Sequence, residues 1–265
     1  MRKTWNRTDT QHRRTSMIGQ HSRRARALFA GAALLLTTAL TACGPGGPEP
    51  ETTPSATAGP SVTSSPSDLR ARLVAGLQST SPANARLVEN AQTTLTPVTA
   101  DWLSGWQILD VQNQTPPRPK RAFVALSDAG RAEVLSGRPD AFSAVLTEAG
   151  VQIDSAERAA DVAGTFLDTT RDFKVFAYRV DGVDDITWMP RPSADEQARR
   201  DGLVQEYRGK VEPPQVAESG DGWQVIVWMV QGRDLVTHDL GLASGAAVTD
   251  QAETVESDIP VPYSA

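Results

Sequence analysis

Among the side chains that could do chemistry, His238 comes first, because imidazole is the commonest general base in enzymes. It would need Asp239 or another carboxylate to orient its ring. The other candidates are acids. Asp110 or Glu148, facing a second carboxylate, could serve glycoside hydrolysis, a reaction that needs two acids at a set separation. Asp181, Asp184 and Asp185 cluster in a turn that could hold calcium, but the alternation of acids ahead of a glycine is missing, which favours a solvated turn. Trp228, Trp188 and Tyr178 could line a pocket for a sugar or an apolar ligand, although core packing accounts for them better. Cys43 is the only cysteine, so no internal disulfide can form.

The absences narrow the chemistry further. Besides His238 the chain has only His12 and His21, both in the leader described below, which excludes a zinc site built from several His or Cys ligands. There is no Gly-rich phosphate loop followed by Lys, no dinucleotide fingerprint and no Gly-x-Ser-x-Gly elbow. No cofactor is called for.

Register decides how His238 reads. With Gly232-Arg233 as a hairpin turn, Val227 faces His238, Val225 faces Leu240, Met229 faces Val236 and Trp223 faces Leu242. His238 then stands on an apolar face, and alternation sends Asp239 to the other side. A satisfied, half-buried histidine is the better reading. The second face of the hairpin carries Ile226, Trp228 and Val230, so the strand must be covered on both sides.

The N-terminus reads as an export signal. Arg23, Arg24 and Arg26 end a basic stretch, and residues 27–42 are uncharged and rich in Leu, too short a run to span a bilayer before Cys43. Leu40-Thr41-Ala42-Cys43 resembles the lipobox of bacterial lipoproteins. That resemblance implies cleavage before Cys43, diacylglycerol and N-acyl groups on this residue, and a lipid-anchored protein on the extracytoplasmic face of the membrane. Two or three acyl chains anchor stably where one does not. Translation could start at Met1 or at Met17, the latter leaving a leader of more usual length. Arg23-Arg24 resembles a twin-arginine signal, but Arg26 and Ala27 stand where that pattern wants strongly apolar residues, so general secretion fits better.

Charge supports the division. Residues 1–42 hold eight Lys or Arg and one Asp, leaving 18 basic and 31 acidic residues beyond them. So acidic an exported part speaks against nucleic-acid binding. From Gly44 to Asp68, Pro, Gly, Ser and Thr fill 19 of 25 positions. Residues 43–68 are therefore expected to be a disordered tether reaching roughly 28 Å as a coil and about 75 Å extended.

Residues 69–265 are expected to form a globular α+β domain, with helices packed on one face of an antiparallel sheet and a subdomain boundary that could fall near residue 151. Helical spacing starts at Leu69, a second helix is expected over 82–95, and strands over 106–111 and 121–126. Helices follow over 139–148, over 155–170 with Asp154 and Glu157 near a capping box, and from the Ser193/Glu196 capping box to Tyr207. Strands are expected at 173–180 and 183–189 around Asp181-Gly182, then 223–230, 234–242 and 247–249. Over residues 154–250 the element order resembles cystatin-like and nuclear-transport-factor-like domains. The function expected is noncatalytic binding of an envelope protein or a small ligand. The alternative is an envelope hydrolase using carboxylates and His238.

Overall fold

The computed structural model describes residues 65–116 and 119–262, all within one compact unit spanning Pro60–Ala265. Cys43, the Leu40-Thr41-Ala42 segment, both candidate start sites and the tether up to residue 64 lie outside the described residues.

The unit is α+β, with two antiparallel sheets where one was expected. The first half runs α1 (Pro66–Leu77), α2 (Pro82–Glu89), β1 (Thr94–Val98), β2 (Trp106–Asn113), β3 (Lys120–Ser127) and β4 (Ala132–Val134), the strands pairing in that order. Then come α3 (Pro139–Glu148) and α4 (Ala156–Thr170). The second half holds β5 (Ala177–Arg179), a 3-10 turn (Val183–Asp185), α5 (Ala194–Tyr207), β6 (Gln215–Ser219), β7 (Gly222–Gln231), β8 (Asp234–Ala243) and β9 (Val248–Glu256). Its sheet is ordered β5-β7-β8-β9, and β6 lies end to end with β5 along the same edge of β7.

Alternation along the strands separates three cores. Leu109 and Val111 of β2 with Val124 and Leu126 of β3 bury one face of the first sheet beneath Leu73 and Leu77 of α1 and Val88 of α2. Trp106 and Ile108, with Phe123 and Ala125, face the opposite way. They share a central core with Phe142 and Leu146 of α3, Val162 and Phe166 of α4, and Val225, Val227, Met229, Leu240 and Leu242 of the second sheet. This core crosses residue 151, and the Trp223 indole bonds the Ile153 carbonyl at 2.9 Å just before α4. The outer face of the second sheet is covered by Leu203 and Tyr207 of α5, Val180, Val183 and the C-terminal Ile259 and Val261.

Local chemistry explains where the elements depart from expectation. Helix α1 begins at Pro66, earlier than Leu69, because Ser65 accepts a hydrogen bond from the Asp68 amide and proline suits the first helical position. Helix α2 stops at Glu89, and Thr94–Val98 is an edge strand that tolerates Pro97. The guanidinium of Arg70 donates to the carbonyls of Val88, Asn90 and Thr93, closing the end that α2 leaves open. Ser155 caps α4 by accepting from the Arg158 amide, displacing the Asp154 box. The Ser193/Glu196 box is formed as expected. The hairpin at 173–189 is not: only Ala177–Arg179 is a strand, and Val183–Asp185 winds into a 3-10 turn with the Asp181 amide bonded to the Asp185 carboxylate. Strand β9 runs on to Glu256, past the expected end at Thr249.

Candidate functional site

The β7–β8 pairing is the one the sequence implies, with Val227 opposite His238 and Met229 opposite Val236. His238 therefore faces the central core and is buried, at 5% exposure. Asp239 points the other way and accepts from Gln224 at 2.9 Å. The carboxylate that meets the ring is Asp250 of β9, 2.9 Å from Nδ1. Gln231 Nε2 lies 2.7 Å from the other ring nitrogen, Nε2. A carboxylate can only accept, so Nδ1 carries the proton and Nε2 accepts from the Gln231 amide. Both ring nitrogens are thus held by the protein.

His238 forms part of the wall of a cavity of about 450 Å³, within the range of small-molecule sites. Phe166, Leu167, Met229 and Val248 supply apolar lining, and Ser143, Thr170, Gln231, Asp140, Asp250 and Arg171 supply polar groups. The C-terminal end of α4 brings Phe166, Thr170 and Arg171 to the site. The amide of Val248 donates to the Ser143 hydroxyl at 3.3 Å, tying α3 to the start of β9. Thr170 spends its hydroxyl on the Phe166 carbonyl.

Charges around the cavity are unevenly matched. Asp140 is 3.1 Å from Arg138, whose hydrogen bond holds this carboxyl below the usual carboxylate range. Among the described residues no carboxylate lies within ion-pair distance of Arg171, although the charges of Asp168 and Asp110 reach it; its guanidinium donates to the Ala177 carbonyl and lies 5.2 Å from the Phe173 ring centre. Its Nε is buried with no hydrogen-bond partner. Burial pushes the Arg171 guanidinium down from its ordinary value, and the nearby positive charge of Arg121 adds to that. Arg121 also lies over Phe173, at 5.3 Å, and over Phe123, at 5.1 Å, so the Phe173 ring meets two guanidinium groups.

The remaining sequence candidates fall elsewhere. Arg121 holds Asp110 through two bonds of 2.9 and 2.7 Å, and Arg131 pairs with Glu148, so each acid is occupied by its own arginine. Trp228, Trp188 and Tyr178 are each partly buried against the third core. Tyr207 meets Trp228 edge to face at 6.3 Å, and the Tyr178 hydroxyl accepts from the Thr187 amide. Among the described residues, no group of three or more His, Cys, Asp or Glu could hold a metal ion, Asp181, Asp184 and Asp185 included. Nor does any helix among them have the length and apolarity to cross a membrane.

A second cavity, of about 510 Å³, opens on another side of α4 between Trp102, Asp161, Gly164 and Arg179. Its Arg179 is paired with Asp168 at 2.9 Å, so that charge is already matched.

Sequence reasoning missed Asp250 and Arg171. Extending β9 in register with β8 would have placed Asp250 on the His238 face, whereas nothing in the sequence marks Arg171. Comparison of the chain with protein families, with curated proteins and with solved structures found no match.

Proposed function

We propose that the chain is an exported lipoprotein, held at the extracytoplasmic face of a membrane by diacylglycerol and N-acyl groups on Cys43, and that its α+β unit is a noncatalytic binding module of the cell envelope with the cavity beside His238 as its ligand site. The anchor rests on Leu40-Thr41-Ala42-Cys43 following an uncharged, leucine-rich stretch, and on the absence of any other thiol. The binding role rests on one observation. His238, the residue best suited to act as a base, has both ring nitrogens engaged, by Asp250 and Gln231, in the wall of a cavity. A base needs a free lone pair within reach of the proton it removes. Here the imidazole stiffens the wall.

Metabolic labelling with a fatty-acid analogue tests the anchor: label is expected on the wild type and not on Cys43→Ser, and equal labelling of both would refute it. For the binding site, His238 is the sole histidine after Cys43, so its ring resonances form a single probe. A small-molecule library should contain compounds that shift them saturably. If none does, the cavity is not a ligand site.

A further inference from the structure

We propose that the loop between α4 and β5 seats the unit on a lipid bilayer, with Phe173, Val175 and Phe176 entering the headgroup region. This goes beyond the ligand cavity and rests on the reading of Cys43 as a lipid anchor, which brings the unit to that surface.

Among the described residues four large apolar side chains are exposed, and three of them fall within four consecutive positions: Phe173 at 36%, Val175 at 51% and Phe176 at 40%. Apolar residues exposed singly are ordinary, whereas a contiguous apolar patch marks a surface that meets something other than water. The loop is braced. Its Lys174 amide donates to the Asp172 carboxylate at 3.0 Å, the Phe176 carbonyl accepts from the Gly232 amide at 2.8 Å, and Arg171 closes the base on the Ala177 carbonyl. Phe173 stacks on Phe123 at 5.7 Å and Phe176 leans on Tyr178 at 5.4 Å, so both rings are supported while more than a third of each residue stays exposed.

Charge favours a phosphate-bearing surface as the occupant. The Arg121 and Arg171 guanidinium groups lie 5.3 and 5.2 Å from the Phe173 ring centre, and Lys174 is the next residue. Long cationic side chains beside inserted apolar groups reach lipid phosphates while their stems stay in the apolar layer. Asp172 is paired with Lys174 and Asp110 with Arg121, while Asp168, whose charge reaches Arg171, is paired with Arg179. Four cations thus meet three acids here, whereas the chain beyond residue 42 holds 18 basic and 31 acidic residues. This is a face that phosphates do not repel. Placement agrees. Arg70, near the start of α1, donates to the Thr93 carbonyl, the Thr93 hydroxyl accepts from Asn113 at 3.0 Å, and Asn113 pairs with Lys120, the neighbour of Arg121. The tether therefore enters at the end of the first sheet that carries the loop, and its expected reach of roughly 28 Å lets that end face the bilayer.

Cys43, the only cysteine, permits a chemical anchor. Chain 43–265, which contains all three cores, is coupled through that thiol to a maleimide lipid in phosphatidylcholine–phosphatidylglycerol vesicles. Hydrogen exchange over residues 171–177 is then compared with that of the same chain, thiol blocked, in solution. Exchange is expected to slow roughly fivefold or more on the vesicles, where the tether holds the loop at about millimolar effective concentration. Val175→Asp and, independently, Phe176→Ser should abolish the slowing, with circular dichroism confirming that they fold. Val255→Asp, at the exposed apolar position of β9, should leave it intact. Equal exchange with and without vesicles overturns the proposal, as does slowing that survives both loop variants or disappears in Val255→Asp as well. Slowing in the blocked chain that grows with protein concentration assigns the patch to a second copy and overturns the bilayer as its occupant. Because the coupling is chemical, the outcome is separate from fatty-acid labelling of Cys43: label without slowing sinks the loop alone, and slowing without label supports the loop while the anchor reading falls.

Discussion

His238 and Asp250 stand on neighbouring strands and share one face of the sheet, with Nδ1 2.9 Å from one carboxylate oxygen and 3.0 Å from the other. The pairing of His238 with Ala252 places Asp250 two residues along β9 and hence on the same side. The Asp250 side chain is 27% exposed against 6% for His238, so the acid sits at the rim and the ring within the wall.

Removing that acid leaves a buried ring N–H without an acceptor. Asp250→Ala is expected to cost about 1–3 kcal/mol in urea unfolding at unchanged m, and Asp250→Asn, which keeps a carbonyl oxygen, clearly less. Equal losses in the two variants would show that the hydrogen bond contributes little.

Two helical glycines should answer the same substitution with opposite signs. A Cβ on Gly76 of α1 would lie 2.5 Å from the Gly130 carbonyl oxygen, a backbone atom that cannot step aside. Gly76→Ala should therefore cost about 1–3 kcal/mol. On Gly164 of α4 the nearest atom is Arg179 Nη1 at 2.8 Å, the far end of a flexible side chain. Its pair with Asp168 is partly exposed and worth about 0–1 kcal/mol, while Ala in place of Gly gains about 1 kcal/mol of helix propensity. Gly164→Ala should come out between neutral and about 1 kcal/mol more stable, as melting curves of the two variants will show.

Glu196 accepts from the Ser193 amide at 2.7 Å, and that bond holds its carboxyl below the ordinary range in the folded chain. A group depressed on folding stabilises above its unfolded value and ceases to do so as pH falls through its folded one. Wild type should therefore melt above Glu196→Gln at pH 7, with the gap closing below about pH 4. A gap that stays constant down to pH 3 would assign the difference to something other than ionisation.

Arg70 joins α1 to the chain following α2 through carbonyls 18 to 23 residues away. Arg70→Met keeps the stem and deletes the donors. A loss of about 1.5–3 kcal/mol is expected, the range for hydrogen bonds to a charged group. Hydrogen exchange should then quicken over Val88–Thr93 ahead of the rest. Uniform exchange would count against a local clasp.

Legibility followed the range of the interactions. The β7–β8 register was readable because turn and alternation are local, and the Ser193/Glu196 box because it spans a single helical turn. The division into two sheets was not, since it depends on which apolar faces meet through α3 and α4. Residues 183–189 were expected as a strand because Asp181-Gly182 suits a hairpin turn, but the Asp185 carboxylate reaches back to the Asp181 amide and the chain winds into a 3-10 turn instead. At the site, His238 was visible by type. Asp250 lay beyond a strand read too short, and Arg171 reaches the cavity wall from the end of α4, a placement no local pattern records.

The arrangement of β5 and β6 along β7 has a topological meaning. Val180 donates to the Trp228 carbonyl at 3.0 Å, Gln215 sits opposite Ile226, and both segments run in the same direction. Joined across the position facing Val227, they would make one continuous edge strand. Residues 181–214, with α5, are thus a detour that departs from and rejoins a single line of backbone. The strand order does not depend on this detour, which supplies Val183, Leu203 and Tyr207 to the cover of the outer face, while His238 faces the central core on the opposite side.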